Sequence, residues 1–275
     1  MIHNLKMQSA REYLHPDTIQ TVVFHFPCAD GCASANIAYL YNSKYHLVPW
    51  NLIDPLPSLQ GNTVFIDCAP EQVQENQMVL DHHHTNYKRL HTQPGCFFNM
   101  AKSGCMLAWE YFFPDKEMPI LYFHIGYRDL WNFTHPETRI VGYALMNMSL
   151  DYKTLHTLEI DDLLLKGRET ICKINTRINS MKPLHVKIGS YETMVAKIPD
   201  YQFISECAEH LYTTFPNVPF VVVYYEHDDK YKLSFRTNKD SVNVAEIAQE
   251  LFHGGGHAKA AGATISKHDF YESSI

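Results

Sequence analysis

Several common features are missing from this sequence of 275 residues, and each absence narrows the class of protein. No apolar stretch approaches the roughly 18 residues that a membrane span needs, and the N-terminal segment lacks the apolar core of a signal peptide. The seven cysteines are scattered and form no C-x-x-C pair, which disfavours a structural zinc site and is typical of reduced thiols in the cytosol. We therefore expect a soluble, cytoplasmic protein that does not bind membranes.

Positive charge is also scarce. The 23 Lys and Arg residues oppose 30 Asp and Glu residues, which gives a formal net charge of -7. This balance disfavours long duplex nucleic acid as a partner, because binding without sequence preference depends on neutralising phosphates. It leaves room for a small anionic ligand held by a few local cations. Hydrophobic residues at 45% and charged residues at 19% indicate an ordinary globular protein.

Short apolar strands alternate with helical patterns in the first half of the chain. Strands are predicted at 21–26, 62–67 and 77–81, and helices from residue 31, at 103–113 and at 118–131. Strands that alternate with helices predict a mostly parallel sheet flanked by helices, which is an α/β fold.

The second half of the chain shows a different pattern of predicted secondary structure. A stretch from about 155 to 181 predicts a long connecting helix, and the strand-like segments after it alternate with two helical ones. We therefore predict a first domain at 1–155, a linker helix at 156–183 and a smaller α+β domain at 184–275.

Acidic residues stand where the predicted strands of the first domain end. They are Asp30, Asp67 and Asp81, and Asp81 is followed directly by a run of histidines. Because parallel strands end at one edge of a sheet, we expect these side chains to converge. Carboxylates with neutral imidazoles suit Mn²⁺, Mg²⁺, Fe²⁺ or Zn²⁺, and a pair of such ions can activate water for phosphoryl transfer.

Each of these residues also has a plain structural interpretation. The histidine run could be a solvated turn, and Asp67 could cap a following helix. Asp129, late in a predicted helix, could pair with Arg128 on the surface.

The C-terminal half strengthens the functional interpretation. Three consecutive glycines precede His257 and Lys259, and adjacent glycines let backbone N–H groups surround an anion in a nest-like geometry. A flexible loop is the alternative, but strand-like sequence returns at once. Arg236 adds a guanidinium suited to phosphate, although an arginine at a strand end often forms a surface salt bridge. Together these residues predict an anion site.

With these motifs in order, the chain resembles the DHH phosphoesterase superfamily, in the branch with the glycine-rich DHH-associated domain. The resemblance covers about residues 21–266 and rests on "FHFPCADGCASA", "VFID", "LDHHH", "SGCMLAWEYF", "YRDLW", "SFRT…VNVAEIA" and "GGGHAKAAG". It implies an enzyme that hydrolyses phosphodiester bonds of short oligonucleotides or of linear or cyclic dinucleotides by metal-activated water. The implied cofactor is Mn²⁺, with Mg²⁺ or another divalent ion as the alternative, and one or two ions.

The resemblance also implies roles for individual residues. The implied metal ligands are His25, Asp30, Asp67, His82 and Asp129, with Asp67 bridging two ions. His83 matches the residue that faces the scissile phosphate, and it is catalytic together with Asp67. Asp81 would not bind the metal itself but would orient the neighbouring ligands. The implied substrate-binding residues are Arg236, Gly255, Gly256 and His257. His84 has no counterpart and is expected to be an exposed polar residue.

One position departs from the pattern of the family. Its first motif commonly carries two acids, two residues apart, and here Cys28 replaces the earlier one. A thiol weakens one metal site or favours a softer ion, but Cys28 could equally be a buried apolar spacer. Two alternatives therefore stay open: hydrolysis of polyphosphate or pyrophosphate, and a non-catalytic nucleotide-binding module. The expected partner is a short nucleotide or other phosphate-containing substrate, and a homodimer is compatible with it.

Overall fold

The computed structural model describes residues 2–267, with side chains from residue 7 onward. It divides the chain into two compact units, Met1–Thr170 and Ile171–Ile275. The boundary falls within the long helix α7 (Ile160–Ser180), inside the range predicted as a linker. No helix in the described range is long and apolar enough to cross a membrane.

The first unit is built on a parallel sheet. Among its described residues the strands are β1 (Thr21–His25), β2 (His46–Trp50), β3 (Thr63–Ile66), β4 (Gln77–Asp81) and β5 (Cys96–Phe98). They lie in the order β2-β1-β3-β4-β5, and every neighbouring pair is parallel. The α/β prediction is confirmed. The edge strands β2 and β5 were not predicted, because they are only partly buried.

Helices surround this sheet. In chain order they are α1 (Ile2–Tyr13), α2 (Ala29–Tyr41), α3 (His84–Leu90), α4 (Gly104–Phe112), α5 (Ile120–Asp129) and α6 (Pro136–Leu145), with 3-10 turns at Pro16–Thr18 and Leu155–Thr157. The predicted helix at 155–181 is therefore two elements, the second 3-10 turn and α7. The N-terminal helix α1 contributes Met7 and Ala10 to the core.

Both faces of the sheet are buried. Val64 and Ile66 of β3 face the cluster that contains α2, α4 and α5, whereas Phe65 between them packs on the other side with Trp50 and Leu90. A strand buried on both faces reads as a continuous apolar run, which is why β3 was recognisable from its sequence. Burying each large apolar side chain contributes about 1.5–3 kcal/mol, so these strands form a stiff frame.

The second unit is built on a mixed sheet. Among the residues described there, the strands are β6 (Leu184–Ile188), β7 (Tyr191–Lys197), β8 (Val221–His227), β9 (Lys230–Arg236), β10 (Gly255–His257) and β11 (Ala260–Ser266). Their order is β10-β11-β9-β8-β7-β6, and only β7 and β8 among these neighbours run parallel. Helices α8 (Ile204–Thr214) and α9 (Val244–Phe252) complete the α+β arrangement that was expected.

The glycine cluster differs from its prediction. Instead of a nest-like loop, Gly255 to His257 form β10, an edge strand antiparallel to β11. The reason is close packing: a Cβ added at Gly254 would lie 2.2 Å from Gly262 O, and one at Gly256 would lie 2.6 Å from Ala260 O. The glycines therefore let an edge strand approach its neighbour.

Candidate metal centre

Three adjacent strands deliver the predicted metal ligands to one edge of the first sheet. His25 is the last residue of β1, Asp67 follows β3 directly, and His82 follows Asp81 at the end of β4. Because β1, β3 and β4 are neighbours and parallel, their carboxyl ends meet. Asp129, at the end of α5, reaches the same place, since its Oδ2 lies 3.3 Å from His82 Nε2.

Asp67 stands at the centre of this cluster. Its side chain is 1% exposed, with Oδ1 lying 3.1 Å from His82 Nε2 and Oδ2 lying 3.4 Å from His25 Nδ1. Its backbone φ of 62° is in the left-handed region, which costs a non-glycine residue on the order of 1–3 kcal/mol. The next element is a strand, so Asp67 does not cap a following helix. The surrounding fold holds it in a costly conformation that presents its carboxylate to the histidines.

Two buried atoms at this point have no hydrogen-bond partner in the described part of the chain. They are His25 Nδ1 and Asp67 Oδ2. A buried polar atom left unpaired costs about 1–3 kcal/mol, so such atoms are rare without a reason. Ligand atoms of His25, Cys28 and Asp67 all lie within 4.8 Å of one another. A cation among them would satisfy both orphaned atoms, so these residues fit a metal ion.

A second possible ligand set lies beside the first. Atoms of Asp30, His82 and Asp129 also lie within 4.8 Å of one another. Asp67 contacts His82 of this set and His25 of the other, which is the position that a bridging carboxylate requires. The structure thus brings together all five side chains that were predicted as metal ligands.

Cys28 belongs to the cluster rather than to the core. It is half-buried and is the N-cap residue of α2. Gly31 permits this placement, because a Cβ there would lie 1.9 Å from His25 O. Burial, reinforced by the charges of Asp67 and Asp30, raises the pKa of the Cys28 thiol. A cation would oppose that effect by favouring the thiolate.

Asp30 has a structural role that the sequence analysis missed. Its Oδ1 accepts hydrogen bonds from Ser103 Oγ at 2.7 Å and from Cys105 N at 3.1 Å, while its Oδ2 accepts one from Gly104 N at 2.6 Å. This carboxylate therefore caps the N-terminus of α4, where negative charge is favoured. The glycine is required, because a Cβ at Gly104 would lie 2.4 Å from Asp67 Cβ.

Asp81 orients His83. Its buried Oδ1 accepts hydrogen bonds from the backbone N–H groups of His82 and His83, at 2.7 and 3.2 Å, and lies 2.7 Å from His83 Nδ1. Its Oδ2 accepts a hydrogen bond from Asn86, a partner that the sequence analysis did not name. Since Nδ1 is occupied, a substrate would meet Nε2 of the half-exposed His83. His84 is exposed, as expected, and begins α3.

Burial and close approach shift the pKa values of several groups in this acidic cluster. Burial, with the charges of Asp67 and Asp129, raises the pKa of Asp30 to about 7, and burial and Asp67 raise that of Asp129. Burial alone would lower the pKa of His82, but Asp67 and Asp129 raise it to about 9. Burial would raise the pKa of Asp67, yet the imidazoles of His25 and His82 hold it below its usual value. The raised pKa values of Asp30, Asp129 and His82 mean that added positive charge is favoured here, and a divalent cation would supply it.

Two of the four predicted substrate-binding residues of the second unit, Arg236 and His257, share one row of its sheet. Arg236 of β9 lies opposite Ala260 of β11, and Ala260 lies opposite His257 of β10. Directly opposed residues project to the same face, so Arg236 and His257 flank a small side chain about 10 Å apart, or two strand spacings. Arg236 Nη1 donates to Phe235 O at 2.9 Å, and burial lowers the pKa of this half-buried guanidinium. His257 is exposed.

Lys259 and the glycines beside this row have other contacts. Lys259, named as a further donor, forms an ion pair with Asp240 at 2.7 Å. A Cβ at Gly255 would meet nothing within 4 Å, whereas Gly256 has a φ of 145° and packs closely on β11. Gly255 therefore leaves open space at the exposed edge strand, and Gly256 is required by the backbone.

Comparison with known proteins finds similarity to both parts of the chain. Residues 193–273 match the family model of the DHHA1 domain. An uncharacterised protein, R106 of Acanthamoeba polyphaga mimivirus, is 27% identical over 301 residues, which cover 96% of this chain and 71% of that protein.

Solved structures show the same fold at low sequence identity. The pGpG-specific phosphodiesterase PggH from Vibrio cholerae has a TM-score of 0.62 at 16% identity, covering 92% of this chain and 95% of that one. An exopolyphosphatase-related protein from Bacteroides fragilis has a TM-score of 0.56 at 14% identity, covering 98% and 94%. RecJ from Thermus thermophilus, in complex with Mn²⁺, has a TM-score of 0.51 at 12% identity, covering 98% and 53%. Residues 193–273 thus match the DHHA1 domain, and the chain as a whole has the fold of these three structures.

Proposed function

We propose that the protein is a metal-dependent phosphodiesterase that hydrolyses short oligonucleotides or linear or cyclic dinucleotides. The observation that carries this proposal is the convergence of two ligand sets on Asp67, whose buried Oδ2 has no hydrogen-bond partner in the described residues. The same fold in a phosphodiesterase and in an exopolyphosphatase-related protein, together with the DHHA1 match, supports the class of reaction.

The chain offers ligands for one or two divalent ions, and Mn²⁺ is the proposed ion. One set is His25, Cys28 and Asp67, and the other is Asp30, His82 and Asp129, whose His82 Nε2 lies 3.1 Å from Asp67 Oδ1. The chemistry that a divalent ion supplies at such a site is activation of water and neutralisation of phosphate charge. The presence of Mn²⁺ in the RecJ structure is consistent with this choice.

The residues of the chain itself orient and stabilise the substrate. The hydrogen bond to Asp81 raises the pKa of His83, so its imidazole can carry a proton and donate from Nε2 to a phosphate oxygen. A donor already fixed in place lowers the barrier, because no reorganisation is needed as charge develops. Asp67 is buried and held in place by the backbone, so it fixes the positions of the two ligand sets around the reacting phosphate.

Two observations support a short nucleotide substrate. The net charge of -7 opposes long polyanions. In the second unit, Arg236 and His257 share one row and would bind a single phosphate or carboxylate-like group rather than a long chain. PggH is described as specific for pGpG, a dinucleotide, which agrees with this size.

The test is a hydrolysis screen of the full chain with Mn²⁺ over linear and cyclic dinucleotides, short RNA, short DNA and polyphosphate. We expect mononucleotide release from the dinucleotides, reduced on the order of 10³-fold by Asp67→Asn. His84→Ala is the matched control, since His84 lies in the same histidine run but is exposed, and its activity should stay within about twofold.

Three outcomes would contradict the proposal. Faster release of phosphate from polyphosphate than of mononucleotide would favour the polyphosphatase alternative. Nucleotide binding without turnover under any divalent ion would favour the binding module. Full activity of Asp67→Asn would remove the metal centre from the mechanism.

A further inference from the structure

A cavity of about 430 Å³ opens beside the candidate metal centre in the first unit. It lies between the start of α2, the C-terminal half of α5 and the end of α6 with the segment after it. Its volume falls in the range of small-molecule sites, about 300–1,000 Å³. Apart from Cys28, its lining residues have no part in the proposed metal centre.

The cavity and the metal centre have a common wall. Cys28 lines the cavity, and its Sγ lies within 4.8 Å of the ligand atoms of His25 and Asp67. On α5, Arg128 lines the cavity, and the next residue, Asp129, is one of the candidate metal ligands. A phosphate held at the metal centre would therefore place the group attached to it next to the cavity.

The lining is mostly apolar, and its polar members are Arg128, Ser149 and the thiols of Cys28 and Cys32. Ile125 and Leu145 are 2% and 4% exposed, whereas Phe26 and Met146 are 37% and 49% exposed. Arg128 supplies the cation. Such a lining suits a planar ring with polar atoms at its edge, because apolar side chains and a guanidinium can both stack on it. A polyphosphate chain would instead need several cations.

The side chain of Arg128 is held in place before any ligand binds. Its guanidinium carbon lies 4.4 Å from the ring centroid of Trp131, and its Nη2 lies 3.5 Å from Met146 Sδ. Gly142 of α6 leaves room for its stem, since a Cβ there would lie 2.8 Å from Arg128 Cδ. Trp131 has a φ of 53°, a conformation uncommon for a bulky residue. A group ordered in advance loses less entropy when it binds a ligand.

We propose that this cavity, the base pocket, binds the nucleobase of one of the two nucleotides that the cleaved phosphodiester bond joins. The inference rests on the proposed function and narrows it, because a pocket for a base selects nucleotides over polyphosphate. Stacking of one base changes affinity on the order of 10- to 100-fold, which sets the expected size of the effect.

The test compares a dinucleotide with two analogues, each lacking the base on one side but keeping the sugar and the phosphodiester bond. For the wild-type chain we expect kcat/KM to fall on the order of 10- to 100-fold for one of the two analogues. Arg128→Ala and Met146→Trp, which remove and fill part of the pocket, should bring this ratio close to one.

Arg139→Ala is the matched control. Arg139 stacks 3.9 Å over Phe133 and 6.0 Å from Trp131, in the same aromatic cluster as Arg128, but it does not line the cavity. The ratio for this variant should equal that of the wild type. Far-UV circular dichroism and thermal melts of each variant show whether it is folded.

The outcomes separate the two proposals. If the wild-type chain cleaves the dinucleotide and both analogues equally well, the base pocket is wrong and the phosphodiesterase stands. If it cleaves none of them, the proposed function is wrong. Calorimetry then tests the pocket alone: stronger binding of a mononucleotide than of ribose 5-phosphate, lost in Arg128→Ala, supports it, and equal binding overturns it.

Discussion

The two units present their predicted functional residues in opposite ways. In the first, Asp30, Asp67 and Asp81 are at most 1% exposed and lie in α2, directly after β3 and at the end of β4. In the second, His257 is exposed on an edge strand, and Arg236 is half-buried in the same row. A buried acidic cluster is unstable without positive charge and so suits a cation and bond breaking, whereas an open row suits reversible binding. The first site should therefore control kcat, and the second KM.

The sharpest test replaces one histidine in each site. His82→Ala removes an imidazole that lies 3.1 Å from Asp67 and 3.3 Å from Asp129, so kcat for a dinucleotide should fall on the order of 10²–10³-fold. His257→Ala should raise KM about tenfold with little change in kcat. Steady-state kinetics of both variants measure this. A comparable loss of kcat in His257→Ala would break the division between the sites.

The next effect concerns the orientation of His83. Asp81→Asn removes the charged acceptor at 2.7 Å from His83 Nδ1 but keeps the size of the side chain. We expect kcat to fall about 10- to 100-fold, as is usual when the residue orienting an active imidazole is changed. Asn86→Ala, which removes a neutral donor to the other oxygen of Asp81, should cost much less. Equal losses in the two variants would mean that Asp81 acts through stability alone.

A smaller effect is expected from Arg236. Arg236→Lys keeps the charge but loses the forked donor, so KM for a dinucleotide should rise about tenfold or less. Lys232→Ala, on the same strand but paired with Thr264 at 3.0 Å, is the control and should change KM less than twofold. An unchanged KM in Arg236→Lys would remove this row from substrate binding.

The smallest effect is on stability. Mn²⁺ at ten times its dissociation constant should stabilise the chain by about 1.4 kcal/mol, and His82→Ala should weaken this gain. Hydrogen exchange can localise it: protection should increase around the ends of β1, β3 and β4 and stay unchanged in β9 to β11. Equal protection of both units would contradict a metal site confined to the first.

The fold was largely predictable where elements are buried on both sides. The runs in β1, β3 and β4 have no polar face and were recognisable as strands of a parallel sheet. The edge strands β2 and β5 were missed, because partly exposed segments carry a weaker periodic signal, and the helices α3 and α6 were not predicted either. The glycines at 254–256 were misread as a nest, because the sequence does not show which backbone lies against them.

The candidate site likewise combines residues that the sequence indicated with contacts that it did not. Asp30, Asp67 and Asp81 were recognisable because they stand at or after the ends of buried runs, and His82 and His83 because they follow Asp81. Three features had no such signal: the cap that Asp30 forms on α4, the contact between Asn86 and Asp81, and the cavity lined by Arg128. Each depends on residues distant in the sequence or on the turn of a helix.

The sequence by itself determined the parallel strands and the chemical type of the groups at their ends, since buried runs and charged residues depend on local composition. Only the tertiary structure decided that Asp67 lies between two ligand sets, that Cys28 joins one of them, and that the glycines pair as a strand. The physical reason is that distances between chain segments come from the packing of the core, which no short stretch of sequence encodes.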